Sequence, residues 1–266
     1  MSTPNYESYQ IRNSVINIDI AHESKMGIYG DQFWTEISEG SYEVVTFNFL
    51  EKLRSSEYLY FIDIGAATGC MTLYAASTGL KVIAIEPQEM VYGALQRNVE
   101  LNPSLSSRIS MVYALVSKSR DQNSISESFT PGAGGPIASG VLTSNLVTME
   151  DLLGMTESDS KVAIKIDIEG AEFPLLTDKL TLEYLSKRKP LIYIALHPGF
   201  KQPLKVNANW ITKSFWRLQA SKDIFDLYRA ISPRGIIRVA SSNKKVRLLG
   251  LLKALSRDEK DFLLLF

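Results

Sequence analysis

A glycine-containing turn follows directly after a short apolar run, and its composition indicates the kind of ligand it can approach. The run Tyr58 to Ile64 ends at Gly65, and Gly69 follows four residues later. Glycine has no Cβ atom, so the backbone can turn sharply here and come close to a ligand. Ala67 stands where the dinucleotide fingerprint requires its second glycine. We therefore expect a ligand without a pyrophosphate at this turn.

Two carboxylates flank the turn and narrow the identity of that ligand. Asp63 comes just before Gly65, where its charge would repel a phosphate and would suit the ammonium group of a methionine moiety. Glu86 ends the next apolar run, about 23 residues further on, and can accept hydrogen bonds from both hydroxyls of a ribose. The alternative is a plain structural turn followed by a solvated strand end. The combination of turn and spacing favours a nucleoside that carries an amino acid.

A second polar set falls at or just after the carboxyl ends of later predicted strands. Its members are Lys165, Asp167, Glu169, Glu172 and His197. Ligands of open α/β sheets bind at this edge, so we expect these side chains to converge beside the first site. An imidazole can remove a proton near neutral pH. Asp167 or Glu169 is an alternative base, or a group that orients a substrate hydroxyl.

Structural roles are the alternatives for the same residues. Lys165 can extend from a strand towards solvent, and Glu172 suits the first turn of a helix because of the helix dipole. A histidine before a proline, as at His197, is often structural. Asp167, Glu169 and His197 also offer oxygen and nitrogen ligands for a divalent ion such as Mg²⁺. No fixed short metal spacing is present, so we expect no resident metal.

The elements that must position these residues alternate between apolar runs and helical patterns, which predicts a doubly wound, mostly parallel α/β sheet. Buried parallel strands read as continuous apolar runs, and two final strands would form an antiparallel C-terminal edge. The predicted strands are 58–64, 81–86, 109–116, 162–168, 191–197, 236–240 and 261–266, which makes a seven-stranded sheet. The main predicted helices are 42–53, 71–78, 90–101, 148–153, 174–185 and 201–230.

The chain divides into a short lead-in and one core. Residues 1–55 contain one strand and one helix that we expect to pack on the core, which spans residues 56–266. Residues 118–145 are rich in Ser, Gly, Asn and Thr, which predicts a surface insertion. This insertion is either inert or a lid over the substrate.

Composition excludes several classes of protein. The 266 residues include 29 Lys plus Arg and 29 Asp plus Glu, so nothing favours a nucleic-acid partner. The single cysteine, Cys70, excludes an intrachain disulfide. The first residues lack the basic and apolar regions of a signal peptide, and no run approaches the roughly 20 apolar residues of a spanning helix. We therefore expect a cytoplasmic protein.

One stretch departs from this even balance of charge. Residues 229–257 contain eight basic and no acidic residues. One interpretation is a surface that binds an anionic substrate or a membrane face. The other is a solvated loop beside a helix packed on the sheet.

The motifs together resemble class I S-adenosylmethionine-dependent methyltransferases, and most closely the FkbM family. The resemblance runs from about residue 40 to the last residue. Its motifs are Gly40-Ser41-Tyr42-Glu43, Phe61-Ile62-Asp63-Ile64-Gly65-Ala66-Ala67-Thr68-Gly69, Ile85-Glu86-Pro87, Leu95-Gln96-Arg97-Asn98-Val99-Glu100-Leu101-Asn102 and Lys165-Ile166-Asp167-Ile168-Glu169-Gly170-Ala171-Glu172. The last motif is the most specific to the family.

The resemblance implies a Rossmann-like fold and S-adenosyl-L-methionine as the cofactor. The implied binding residues are Asp63, Gly65, Ala66, Gly69, Glu86 and Pro87, with Ala114 and Leu115 beside the adenine and Tyr42 and Glu43 over the methionine end. The catalytic candidates are Asp167, Glu169, His197 and Lys165. One position departs from the family, because relatives usually carry a glutamate where this chain has Ala195.

The implied reaction is O-methylation of a hydroxyl on a sugar, a glycan or a small metabolite. The alternatives are an amine or carboxylate acceptor, or a nucleoside-binding module without turnover. The expected partner is a small-molecule or carbohydrate acceptor.

Overall fold

The strands follow the predicted apolar runs closely. The computed structural model describes residues 6–27, 29–121, 145–168, 171–197, 210–255 and 259–266. In chain order the strands are β1 (Glu7–Ile11), β2 (Ser14–Ile18), β3 (Tyr58–Ile64), β4 (Lys81–Glu86), β5 (Ile109–Tyr113), β6 (Leu115–Val116), β7 (Leu146–Val147), β8 (Lys161–Ile166), β9 (Leu191–Ala195), β10 (Ile236–Val239) and β11 (Asp261–Leu265).

Helices alternate with these strands through most of the chain. They are α1 (Ile20–Met26), α2 (Asp31–Ser38), α3 (Val44–Arg54), α4 (Cys70–Ser77), α5 (Glu89–Glu100), α6 (Pro103–Ser106), α7 (Met149–Gly154), α8 (Glu172–Thr177), α9 (Lys179–Arg188), α10 (Trp210–Ile231) and α11 (Leu248–Leu255). Among the described residues, none of the helices has the length and hydropathy needed to cross a membrane.

Seven strands form the central sheet, in the spatial order β10-β11-β9-β8-β3-β4-β5. Only β11 runs antiparallel to its neighbours, and it lies one place inside the edge strand β10. The predicted mostly parallel, seven-stranded sheet is confirmed. The chain proceeds from β3 outwards to β4 and β5, then returns to the other side of β3 with β8. A doubly wound sheet binds its ligand at such a switch point, which here lies between β3 and β8.

The two faces of the sheet are buried under different groups of helices. Ile62, Ile64 and Ile164 point into the core beneath α8 to α11. Phe61, Ala163 and Tyr193 point to the opposite face, where the lead-in helices and α4 pack. Residues alternate between faces along a strand, so Asp63 and Lys165 also belong to this second face.

The lead-in is tied to the core by buried polar contacts. Glu23 of α1 is fully buried and accepts hydrogen bonds from Trp34 Nε1 at 2.7 Å and from Asn98 Nδ2 at 2.8 Å. Asn98 Nδ2 also donates to the carbonyl of Thr68 at 2.9 Å. These bonds connect α1, α5 and the glycine turn in one network, so the lead-in helps to fix the turn. The division at residue 55 remains a prediction.

Several predicted elements differ from the structure, and the described part of the lead-in contains two strands and three helices where one strand and one helix were predicted. The third predicted strand breaks at Ala114, and β6 then pairs with β7 in a separate two-stranded sheet. The helix predicted over 174–185 is two helices, because the Asp178 side chain accepts a hydrogen bond from Thr181 N at 2.8 Å and starts a new N-terminus. Most of the predicted insertion, residues 122–144, lies outside the described residues.

Candidate functional site

The switch point brings the end of β3 very close to the segment after β8. Gly65 has φ +82°, and a Cβ atom there would lie 2.1 Å from the carbonyl oxygen of Asp167. Asp167 N in turn donates to the carbonyl of Ile64 at 3.1 Å. Only glycine fits at position 65, because any side chain would collide with the neighbouring backbone. The glycine therefore allows the two strand ends to form the floor of one cleft.

The cleft has two adjoining pockets. Both are lined by Tyr29, Gly65, Ala67 and Asp167. The first pocket has a cavity volume of about 130 Å³, and its other lining residues are Glu86, Pro87, Gln88, Leu115, Ile168 and Ala171. The second has a cavity volume of about 80 Å³, and its other lining residues are Phe33, Tyr42, Glu43, Asp63, Ala66, Thr68, Cys70, Met71 and Lys165. The cleft thus accommodates an elongated ligand with an apolar end and a polar end.

Glu86 lies at the border of the first pocket and is held by backbone donors. Its side chain accepts hydrogen bonds from Ala67 N at 3.1 Å and from Gln88 N at 2.9 Å, one at each carboxylate oxygen. Burial raises the pKa of Glu86 to about 7, although these two bonds act in the opposite direction. Each carboxylate oxygen can accept more than one hydrogen bond, so Glu86 can still receive two hydroxyl donors from a ligand.

Asp63 lies below the second pocket and is fully buried. Its Oδ2 accepts a hydrogen bond from Thr72 Oγ1 at 2.7 Å, and its Oδ1 lies 3.7 Å from Lys165 Nζ. Among the described residues, no hydrogen-bond donor reaches Oδ1. Burial raises the pKa of this carboxyl. A buried acceptor without a donor is costly, and a cationic ligand group in the pocket would relieve that cost.

Lys165 lies between two carboxylates and is almost completely buried. Its Nζ is 3.7 Å from Asp63 and 3.3 Å from Asp167. Burial alone would lower the pKa of Lys165, but Asp167, Asp63 and Glu43 outweigh it and raise that pKa above its usual value. Lys165 is therefore a fixed cation that orients Asp63 and Asp167, and it is not suited to accept a proton.

Asp167, Glu172 and His197 form a polar cluster beside the cleft, and of the three only Asp167 lines its two pockets. His197 Nδ1 lies 3.2 Å from Glu172 Oε1 and 3.9 Å from Asp167 Oδ1. Glu172 is fully buried and also accepts a hydrogen bond from Ile168 N at 3.0 Å. Because Nδ1 faces two carboxylates, we assign the proton to this nitrogen, which makes Nε2 the basic one.

Asp167 is ionised near neutral pH. Burial acts to raise the pKa of Asp167, but Lys165 and His197 outweigh burial and keep that pKa below its usual value. Asp167 is therefore a hydrogen-bond acceptor and a poor base.

The structure brings most of the predicted cofactor residues to the cleft. Ala66, Pro87, Leu115, Tyr42 and Glu43 line it. Ala114 is buried in the apolar core instead. Gly69 starts α4, where a Cβ atom would lie 2.6 Å from Leu95 Cδ1, so it permits close helix packing. The catalytic candidate Glu169 lies outside the described residues.

Several residues of the cleft were not predicted from the sequence. Tyr29 lines both pockets, and its ring stacks on Phe33 with the centroids 4.0 Å apart. Thr72 holds Asp63, and Gln88 lines the first pocket. Tyr29 lies between α1 and α2 in no regular element, so no periodic pattern in the sequence marks it.

Comparison with solved structures gives matches of low sequence identity. Monomeric WbdD matches at 12% identity with a TM-score of 0.49, covering 89% of this chain and 44% of that chain. This chain therefore spans less than half the length of WbdD. A putative O-methyltransferase from Klebsiella pneumoniae matches at 12% identity with a TM-score of 0.46, covering 93% and 86%. A precorrin-6y C5,15-methyltransferase from Geobacter metallireducens GS-15 matches at 14% identity with a TM-score of 0.36, covering 74% of each chain.

No curated protein sequence matches the chain. The family model described as the methyltransferase FkbM domain matches residues 63–212, which include the ends of β3, β4 and β8 at the cleft. Because this match covers more than half of the 266 residues, the protein belongs to the FkbM methyltransferase family.

Proposed function

We propose that the protein transfers the methyl group of S-adenosylmethionine to a hydroxyl group of a sugar, a glycan or a small metabolite. The observation that carries the proposal is the arrangement of two buried carboxyls, Asp63 and Glu86, on either side of the glycine turn at the switch point. Among the described residues, Asp63 Oδ1 has no hydrogen-bond donor, and Glu86 accepts hydrogen bonds only from backbone N–H groups.

The lining of the two pockets fits the parts of S-adenosylmethionine. The ammonium group suits the second pocket, where Asp63 and Glu43 supply negative charge. The ribose hydroxyls suit Glu86, and the adenine suits the apolar surface formed by Pro87 and Leu115. When bound, the cofactor supplies an activated methyl group on a sulfonium with a good leaving group.

The residues of the chain then have to position the acceptor and take its proton. His197 is the proposed base, and Glu172 orients its ring by a hydrogen bond with Nδ1. Asp167 stays ionised beside Lys165 and accepts a hydrogen bond from the acceptor hydroxyl. In the balanced reaction a new oxygen–methyl bond forms, the sulfur–methyl bond breaks, and the hydroxyl proton passes to His197.

Calorimetry with S-adenosylmethionine tests the cofactor site. Asp63→Ala and Glu86→Ala should each weaken binding by at least about tenfold, since each removes a charge-assisted hydrogen bond worth about 1.5–3 kcal/mol. Glu89→Gln is the matched control, because Glu89 is an exposed carboxylate three residues beyond Glu86. If both site variants bind as well as the parent protein, the site assignment is wrong.

A panel of acceptors tests the reaction. Release of S-adenosylhomocysteine should be faster with polyhydroxylated acceptors than with amines or carboxylates of similar size. Preference for an amine or carboxylate would change the acceptor class, and binding without release on any acceptor would favour the nucleoside-binding alternative. A chelator in the same assay tests the expectation that no divalent metal takes part.

A further inference from the structure

The last strand of the sheet brings another carboxyl group to the edge where the cleft lies. Because β11 is antiparallel to β9, its first residue, Asp261, lies opposite Ala195, the last residue of β9. The backbone is held on both sides of this pair. Leu196 N donates to the carbonyl of Lys260 at 2.9 Å, and Ala240 N donates to the carbonyl of Asp261 at 2.9 Å. The position of Asp261 is thus fixed beside the strand end that precedes His197.

The strand register places Asp261 on the face of the sheet that carries the candidate site. Paired residues on neighbouring strands share a face, as do residues two apart on one strand. Lys165 pairs with Tyr193, and Ala195, two residues later, pairs with Asp261. Asp167 follows Lys165 by the same two residues. Asp167 lies one residue beyond the end of β8, at the same edge of the sheet as Asp261, and its carboxylate acts electrostatically on Asp261.

A chain of hydrogen bonds through two hydroxyl groups also connects Asp261 with the second pocket. The Asp261 carboxyl faces the Tyr193 hydroxyl. That hydroxyl lies 2.8 Å from Thr46 Oγ1, and Thr46 donates a hydrogen bond to Glu43. Glu43 lines the pocket that contains Asp63. The sulfonium of the cofactor lies between its ribose and its ammonium group, so it would lie where the two pockets adjoin, beside Asp167. Asp167 acts electrostatically on Asp261, and a positive charge bound there would act on Asp261 through space as well.

Neighbouring carboxylates disfavour the charge of Asp261 in the ligand-free protein. They include Glu43, Asp167 and Glu259, whereas the Tyr193 hydroxyl of β9 favours the ionised form. Burial and these carboxylates raise the pKa of Asp261 to about 6, and the hydrogen bond between Asp261 and Tyr193 offsets only part of this rise. The carboxyl thus exchanges its proton just below neutral pH.

We propose that Asp261 belongs to the methyl-transfer site and that its carboxyl loses a proton when a sulfonium cofactor binds, so that the ionised form stabilises the added positive charge. This inference rests on the proposed use of S-adenosylmethionine. S-adenosylmethionine differs from S-adenosylhomocysteine only by the methyl group on its sulfur, which gives it one more positive charge. Asp261 thus distinguishes the methyl donor from the product, and it favours release of the product after transfer.

Calorimetry at pH 6, in buffers of different ionisation enthalpy, measures the protons released on binding. S-adenosylmethionine should release up to about half a proton more than S-adenosylhomocysteine, because Asp261 is about half protonated at this pH. Glu86 contributes equally with both ligands, so its effect cancels in the difference. Asp261→Asn should abolish the difference, while Asp226→Asn, which changes an exposed carboxylate on α10, should preserve it.

The outcomes separate this inference from the proposed function. If Asp261→Asn shows the same difference in proton release between the two ligands as the parent protein, the proposed role of Asp261 is wrong. If neither ligand binds the parent protein, the cofactor assignment itself fails. If Asp261→Asn does not fold, carboxyl ¹³C NMR of the parent protein decides the question. A group titrating near pH 6 should then show a lower midpoint with S-adenosylmethionine than with S-adenosylhomocysteine, and equal midpoints would contradict the proposal.

Discussion

Glu86 combines nearly complete burial with two backbone hydrogen bonds, and this combination places its titration near neutral pH. Its pKa is raised to about 7, because burial outweighs the bonds from Gln88 and Ala67. Asp63 also has a raised pKa, whereas that of Asp167 is lowered. Burial dominates at Asp63, whereas Lys165 and His197 together outweigh burial at Asp167. The pKa values of three carboxyls of one cleft are thus shifted in different directions or by different causes.

The affinity for S-adenosylhomocysteine should depend on pH through Glu86. Only the ionised carboxylate accepts hydrogen bonds from both ribose hydroxyls, so binding favours loss of the Glu86 proton. With a pKa of about 7, affinity should rise by up to about tenfold from pH 6 to pH 8 and then level off. Calorimetric titrations across this range provide the measurement. Glu86→Gln should bind weakly and without this slope, and a flat profile in the parent protein would contradict the prediction.

Glu172 should act through His197 and not through the cofactor. Glu172→Gln keeps the shape of the side chain but removes the charge that stabilises a protonated imidazole, so kcat should fall by about tenfold or more with unchanged cofactor affinity. His197→Ala should lower kcat by about 10²–10⁴-fold. The measurement is the rate of methyl transfer to the best acceptor, together with its pH profile. Glu183→Gln, at an exposed carboxylate on α9, is the control. A full rate in Glu172→Gln would show that the base lies elsewhere.

At the scale of elements, the turn between β3 and α4 is supported by segments far away in the sequence. Asn98 of α5 is fully buried and links α1 to the turn, because its side chain donates to Glu23 and to the carbonyl of Thr68. Its Oδ1 also accepts a hydrogen bond from Asp19 N at 3.1 Å. The family motif on α5 thus has a structural role, which is to hold the lead-in and the turn in one arrangement.

Asn98→Ala should destabilise the protein by about 3 kcal/mol. The substitution leaves the buried Glu23 carboxylate and the Thr68 carbonyl with fewer donors, and such losses are costly for a buried charge. Cofactor affinity should fall as well, because the turn loses its support. Urea denaturation measures the change in the free energy of unfolding. Gln96→Ala, at an exposed position of the same helix, controls for the change in helix propensity. Equal stability of the two variants would contradict this role.

At the scale of the whole molecule, the winding of the sheet assembles the site from distant segments. The first pocket is built mainly from the ends of β3 and β4 and the segment after β8, and the second adds residues of α2, of α4 and of the segment before α3. Asp261 comes from the last strand and reaches the same edge only because β11 is antiparallel. Cations, carboxyls and hydroxyls on one sheet face thus interact although no local motif contains them all.

The sequence alone determined the parts whose geometry is local. A strand, a tight turn and a helix have fixed relative positions, so the places of Asp63, Gly65 and Glu86 at the edge of the sheet could be predicted from their types and spacing. The central strands were equally predictable, because buried parallel strands are continuous apolar runs. The break at Asp178 was not predicted, since a side-chain cap competes there with a helical pattern that continues past it.

Only the tertiary structure decided which polar groups meet. Tyr29 and Asp261 carry no periodic signal, and their places depend on chain crossovers and strand register, which set contacts between residues far apart in sequence. Burial, which raises the pKa of Glu86 and of Asp261, likewise exists only after the helices have packed on both faces. The sequence therefore fixes the chemistry that each residue can offer, and packing fixes the charge and the partners with which it acts.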